Sequence, residues 1–263
     1  MSGKKISIIT ITLNAERYLE QTIASVVNQT YSNMEYIIVD GASTDGTLDI
    51  IKKYESEIDN WISEPDKGIA DAMNKGIDLA TGDYILFLHS DDYLVNSSVL
   101  ERAAEYLEDR FDIFIFKVLL DVQGQNQVSR NRPLGWLTNF KMGSCHQGQL
   151  YSRKLFQRIG NFDTSFKIDM DYDLILRAYR ACASCNAVNI PLAVMRLIGI
   201  SSRTNWKSLR ERFDEERRVH FKNCTSFWMR LLYIFYWMMY LPYRKSLHIL
   251  KLNKRVLALY SYI

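Results

Sequence analysis

Asp91 and Asp92 stand side by side directly after the apolar run Tyr84-Ile-Leu-Phe-Leu88. Adjacent carboxylates repel unless a cation or hydrogen-bond donors compensate them. A divalent metal does so well, because hard cations such as Mg²⁺ and Mn²⁺ prefer carboxylate oxygen and complete their shell from phosphate and water. For an isolated Asp-Asp pair a solvated turn capping the next helix is the plainer reading. Context favours the metal: a second carboxylate, Asp40, ends another apolar run, Tyr36 to Val39, and open α/β sheets gather ligands at the carboxyl ends of their strands. Asp169, Asp171 and Asp173 mark the start of a segment with helical periodicity, where acids also complement the helix dipole. His146 and Gln147 lie in a glycine-flanked loop, Gly143 to Gly148. Cys182-Ala-Ser-Cys185 has half the spacing of a zinc or redox site, but no second pair accompanies it and it reads as incidental.

The elements that must position these groups are legible over the first ninety residues, where short apolar runs alternate with helix-period segments as in a mostly parallel sheet with crossover helices. Ile6 to Leu13 is too uniformly apolar for a one-sided strand and is expected at the centre of the sheet. Asn14 is the expected N-cap of a helix carrying Leu19, Ile23, Val26 and Val27. Gly41 to Gly46 is a loop of small and capping residues before a helix on Leu48, Ile51 and Tyr54. Trp61 and Ile62 suggest a short strand, Ile69 to Ala80 a helix, and Tyr84 to Leu88 the strand that delivers the aspartate pair. The second half is less regular: a helix over Ser98 to Leu107, a strand over Ile113 to Leu120, a polar hairpin tip over Gln123 to Asn131 and a helix over Asp171 to Ala181. Arg177, on that helix, suits a structural pairing with one of the neighbouring acids.

At this level of detail the chain resembles the family 2 glycosyltransferases of the GT-A fold. The matching stretches are Ile6 to Asn14, Ser25 to Tyr31, Tyr36 to Thr47, Asp66 to Gly76, Gly82 to Asp92, His146-Gln147, and Asp169 to Leu174 followed by Arg177. They run in the family's order over about residues 5 to 200. The resemblance implies a Rossmann-like α/β sheet flanked by helices and inverting transfer of a sugar from a nucleotide sugar, with a UDP-sugar favoured. It implies that Thr12, Asn14 and Asp40 hold the nucleoside, that Asp91 lies near ribose and metal, and that Asp92 binds the Mn²⁺ or Mg²⁺ bridging the diphosphate. Lys67 would add positive charge nearby. His146 and Gln147 would approach the sugar or acceptor. Asp171 matches the aspartate of the family's "ED" motif and is the expected general base, although Met170 stands where many members have Glu; Asp169 and Asp173 would raise its proton affinity by like-charge repulsion.

The net charge of +3 argues against a dedicated nucleic-acid binder. It hides a partition. From Arg217 onward there are nine basic and no acidic residues, which leaves 24 basic against 30 acidic before it. The run Thr225 to Leu241 is rich in Trp and Tyr, and its charge-free stretch, Leu231 to Pro242, is 12 residues, short of the roughly 20 that span a bilayer. Pro242 is expected to close it. With the basic residues that follow, 225–255 suits a helix lying in an anionic leaflet, and a cap docked on the catalytic domain is the alternative. The expected division is a catalytic domain at 1–202, with a nucleotide-sugar half to about residue 95 and an acceptor half beyond it, and a helical membrane-associating extension at 203–263. Four cysteines and a Lys-rich start without a secretory apolar run suggest the cytoplasm. The expected partner on the acceptor side is a lipid-linked glycan at the inner face of the plasma membrane. A nucleotidyltransferase would want a Gly/Arg/Lys-rich phosphate loop near the first strand, where this chain has Thr-Leu-Asn; a non-catalytic binding module is the other rival.

Overall fold

The computed structural model describes residues 3–122, 124–197 and 205–250. The division expected at 202/203 and the basic residues Lys251, Lys254 and Arg255 lie outside them. In chain order the elements are β1 (Ile6–Thr12), α1 (Leu19–Val27), β2 (Met34–Asp40), α2 (Thr47–Lys53), β3 (Asn60–Ser63), α3 (Ile69–Leu79), β4 (Tyr84–Phe87) and β5 (Tyr93–Leu94). They continue with α4 (Val99–Ala104), β6 (Ile113–Val122), β7 (Gln125–Val128), β8 (Gln149–Ser152), α5 (Arg153–Ile159), α6 (Met170–Arg180), β9 (Cys185–Arg196), α7 (Trp206–Lys222) and α8 (Phe227–Ile249).

All seven residues of β1 are buried because both faces of the sheet are covered. Ile9 and Ile11 point with Ile37 and Val39 into a core closed by α3, α5 and α6. Ile6 and Ile8 point with Tyr36 and Ile38 into a second core closed by α1, α2 and α4. The two-residue alternation of a strand thus feeds two hydrophobic layers, which is why the run carries no charged residue and its Ser7, Thr10 and Thr12 are buried too. Gly76 lets α3 approach β1: a Cβ there would lie 2.4 Å from Ile9 Cγ2.

The sheet has nine strands in the order β3-β2-β1-β4-β8-β6-β9-β5, with β7 paired to β6. The β1, β2, β3 and β4 pairings are parallel, as expected. Beyond β4 the sheet is mixed, since β8 enters antiparallel between β4 and β6 while β6 and β9 run parallel. The polar stretch after β6 is a hairpin turning at Gly124, whose φ of 82° suits glycine.

Two expectations are corrected. Asn14 caps no helix: α1 begins at Leu19 with Tyr18, four residues after Asn14, at its N-cap, and Asn14 itself has φ of 50°. Pro242 does not end α8, which continues to Ile249; the proline leaves one carbonyl without its helical donor, a local loss that the packed face of the helix tolerates.

Candidate active site

β1 and β2 end in register, Thr12 opposite Asp40, and their following loops are laced together. Asn14 N–H donates to Ser43 Oγ at 2.8 Å and Asn14 Oδ1 accepts from Thr44 N–H at 2.9 Å. Asp40 is fully buried, and its carboxylate accepts from Ser43 N–H, Ser43 Oγ and Ser63 Oγ at 2.9, 2.5 and 2.6 Å. It therefore shapes the Gly41–Gly46 loop. Thr12 is the open member of this cluster: its buried hydroxyl has no hydrogen-bond partner. Lys67 is exposed on the loop before α3, outside the central cavity.

That cavity, about 240 Å³, joins Asp91, Asp92, His146, Gln147 and Asp171. Asp92 is 1% exposed. Its Oδ1 accepts from Arg196 N–H at 3.0 Å, and Gln147 donates to the same carboxylate. Burial, and then the neighbouring Asp91 charge, push its proton affinity well above the usual carboxylate range. This unrelieved pair fits a divalent cation, which would offset both causes. Among the described residues no cluster of three or more His, Cys, Asp or Glu side chains could hold a metal alone, so the remaining ligands would come from phosphate and water. Arg196, which the sequence did not single out, donates from Nη1 to Asp91 O at 2.5 Å and stacks between Tyr18 and Tyr93.

The floor holds two histidines. His146 stacks on Phe87 with ring centroids 5.3 Å apart, and His89 meets His146 edge-on at 5.6 Å. Gly148 allows this placement, since a Cβ there would lie 2.5 Å from Phe116 O. Burial holds both imidazoles below their ordinary pKa, and the Nε2 atoms of both lack partners. They are neutral, polar and unsatisfied, which suits hydroxyl recognition. His89 sat in the recognised strand-end motif with no role assigned to it.

Asp171, also in the cavity lining, stands in the first turn of α6, and its carboxyl is raised to about 6. The direction is as expected, but the main cause is burial. Asp173 turns away to a 2.8 Å ion pair with Arg177 and a hydrogen bond from Asn223, so Arg177 is structural, its guanidinium also donating to the carbonyls of residues 159–161.

The C-terminal helices build this wall. The Glu215 carboxylate accepts from the backbone N–H groups of Lys167, Ile168 and Asp169 at 2.7–3.2 Å. His220 Nδ1 accepts from Trp237 Nε1–H at 2.9 Å, which places its proton on Nε2, 2.8 Å from the Tyr172 hydroxyl. Tyr172 in turn donates to Thr138 O at 2.9 Å. Arg212, Glu216 and Arg244 line the cavity itself. Sequence reasoning missed all of these, because nothing local ties α7 and α8 to an acid some forty residues earlier.

The fold is that of the GT-A glycosyltransferases. S. aureus TarS 1-349, solved with UDP-GlcNAc, superposes with a TM-score of 0.66 at 22% identity over 83% of this chain and 66% of that one. The mannosyltransferase PcManGT from Pyrobaculum calidifontis, solved with GDP-Man and Mn²⁺, gives 0.67 at 15% identity over 99% and 73%. The profile of glycosyl transferase family 2 matches residues 7–170, and the chain belongs to that family. It is 33% identical over 187 residues to a PGL/p-HBAD biosynthesis glycosyltransferase of Mycobacterium tuberculosis, covering 68% of this chain and 71% of the relative. It is 42% identical over 115 residues to Bacillus subtilis TuaG, named for teichuronic acid biosynthesis, covering 42% and 45%. The chain is thus a glycosyltransferase.

Proposed function

We propose that this glycosyltransferase is inverting and metal-dependent, moving a sugar from a nucleotide-diphosphate sugar, a UDP-sugar by preference, to a hydroxyl of a lipid-linked glycan during cell-surface polysaccharide synthesis. The observation that carries the reading is that one cavity is lined by both the Asp91–Asp92 pair and an Asp171 carboxyl at about 6. Thr12 and Asn14, on the loops shaped by Asp40, receive the nucleoside, and Lys67, outside the cavity, adds positive charge from the loop before α3. Asp92, with Asp91, holds Mn²⁺ or Mg²⁺, which when bound supplies Lewis-acid stabilisation of the departing diphosphate. His146 and Gln147 orient hydroxyls. Asp171 takes the acceptor's hydroxyl proton as the oxygen attacks the anomeric carbon from the face opposite the diphosphate; a base titrating near 6 is mostly ionised at neutral pH and still basic enough to help. TarS binding UDP-GlcNAc and PcManGT binding GDP-Man with Mn²⁺ support the donor class.

Association with the inner face of the plasma membrane is supported by α8. Among the described residues no helix is long and apolar enough to cross a membrane, yet α8 exposes Trp228, Phe235, Met238 and Met239 at 58–77% while Tyr233 and Trp237 are buried against α7 and the catalytic domain. One face is docked; the other suits the headgroup region of a leaflet.

Thermal shifts with UDP, GDP and Mn²⁺ test the donor end, and donor turnover tests the base. Asp92→Ala is expected to lose the Mn²⁺-dependent stabilisation by UDP, while Asp171→Asn keeps it and loses turnover. Turnover surviving Asp171→Asn at the wild-type rate removes Asp171 as the base, and absence of any nucleotide-dependent shift favours a module without this chemistry.

A further inference from the structure

The acceptor end of the cavity is rich in cations. Lys141, Lys167, Arg212 and Arg244 line it with the acids Asp169, Asp171 and Glu216. Glu216 is held by Lys141 at 2.5 Å. Asp169 is kept toward its neutral form by burial, then by Glu216 and Asp171, and its Oδ2 has no hydrogen-bond partner. Arg244 stands out. It is 7% exposed; its Nη1 donates to the Tyr240 hydroxyl at 2.7 Å, and its guanidinium lies 5.0 Å from the Phe213 ring centroid. Among the described residues no carboxylate comes within ion-pair distance of it. A buried guanidinium whose hydrogen-bond partner among the described residues is a neutral hydroxyl is unfavourable unless an anion meets it, and a guanidinium fork matches phosphate geometry. Arg244 also belongs to α8, whose opposite side is the exposed apolar face.

We propose that Arg244, with Lys141 over the same Phe213 and Tyr240 rings, forms a phosphoryl-binding subsite for the acceptor, so that the glycan accepting the sugar is carried on a phosphate or diphosphate. The inference rests on the glycosyltransferase reading and names its acceptor class. The phosphoryl group has two possible sources, a lipid carrier or a polyol-phosphate chain.

Calorimetric titration of the full chain saturated with UDP and Mn²⁺, so that the donor site is already filled, separates them. The probes are geranyl diphosphate, geraniol, glycerol 3-phosphate and methyl glucuronide. Geranyl diphosphate is expected to bind at least about tenfold more tightly than geraniol, and Arg244→Leu to remove about tenfold of that affinity, the scale of one charge-assisted hydrogen bond. Arg244→Lys recovers part of it, and Arg244→Gln serves if the leucine variant folds poorly. Selective binding of geranyl diphosphate supports a lipid carrier, and equal binding of glycerol 3-phosphate supports a polyol phosphate. Phosphates binding equally to wild type and to the Arg244 variants, or methyl glucuronide binding as tightly as either phosphate, overturns the subsite. UDP affinity in Asp92→Ala reads the donor end independently, so a negative result at Arg244 leaves the donor assignment standing.

Discussion

Asp171→Asn separates catalysis from stability at one atom. The Asp171 carboxyl titrates at about 6 against an ordinary 3.8, so the folded chain retains a proton that the unfolded chain has released between those values. Stability therefore falls as pH rises through this window, and the full cost of the buried charge stands above pH 6. Roughly two pKa units at 1.36 kcal/mol each set an upper bound of about 3 kcal/mol. Asp171 is half-buried at the wall of an open cavity, and solvent screening reduces this to about 1–2 kcal/mol. The amide keeps the shape and removes the charge, so Asp171→Asn should be more stable than wild type by that amount at pH 8, about 2–8 °C in Tm for a chain of this size. At pH 5, where wild type is mostly protonated, about half of the gain should be gone. Donor turnover should fall by about 10²–10⁴ in the same variant, the exchange of stability for activity expected of a group strained for chemistry. Denaturant melts at both pH values provide the assay. A difference between variant and wild type that is zero, or that does not shrink toward pH 5, refutes the elevated carboxyl and with it the reason for choosing Asp171 as the base.

In wild type, kcat/KM should fall about tenfold per pH unit below about 6 as Asp171 gains its proton; a profile flat from pH 5 to 8 contradicts this. His220→Leu should cost about 2–4 kcal/mol in a denaturant melt at pH 7, because Trp237 Nε1–H and the Tyr172 hydroxyl lose their partner inside a packed core. His220 is also held near 3, by burial first, so between 6.5 and that value only the unfolded chain binds the proton and wild-type stability falls with falling pH. The variant should lack about 1–2 kcal/mol of that loss between pH 7 and 5. Trp228→Ser combined with Phe235→Ser should weaken partition onto anionic liposomes while changing stability by no more than about 0.5 kcal/mol per site, since both side chains are exposed; unchanged partition removes the membrane role of α8.

The first ninety residues were legible because their information is local. In β1 to β4 each apolar run is bounded by turn residues, and crossover helices carry a clear 3.6-residue period, so strands and strand-end acids could be placed together. The second half of the sheet is built from distant pieces. β9 is the longest strand, yet it contains Pro191 and shifts register against β6 near Lys117, which breaks the alternation that identifies strands. β8 is four residues long and owes its existence to the gap between β4 and β6. Asn14 was misread for a related reason: its side chain is used, but on a loop thirty residues away, not on the next helix.

The charge partition at Arg217 shows the same limit from another side. Counting charges treats the tail as one surface, whereas α8 has two. Arg244 is buried in the cavity wall on one side, and the apolar side chains from Phe227 to Met239 meet solvent on the other. α7 adds Glu215 and His220, which hold the turn and the helix that carry Asp171. A segment that reads as an appendage in the sequence is therefore part of the cavity wall. Because the same helix carries a buried guanidinium and an exposed aromatic face, docking it on a leaflet would bring the acceptor's phosphoryl group, its lipid and Asp171 to one place, and the tail would then act on catalysis through position as well as through affinity for a surface.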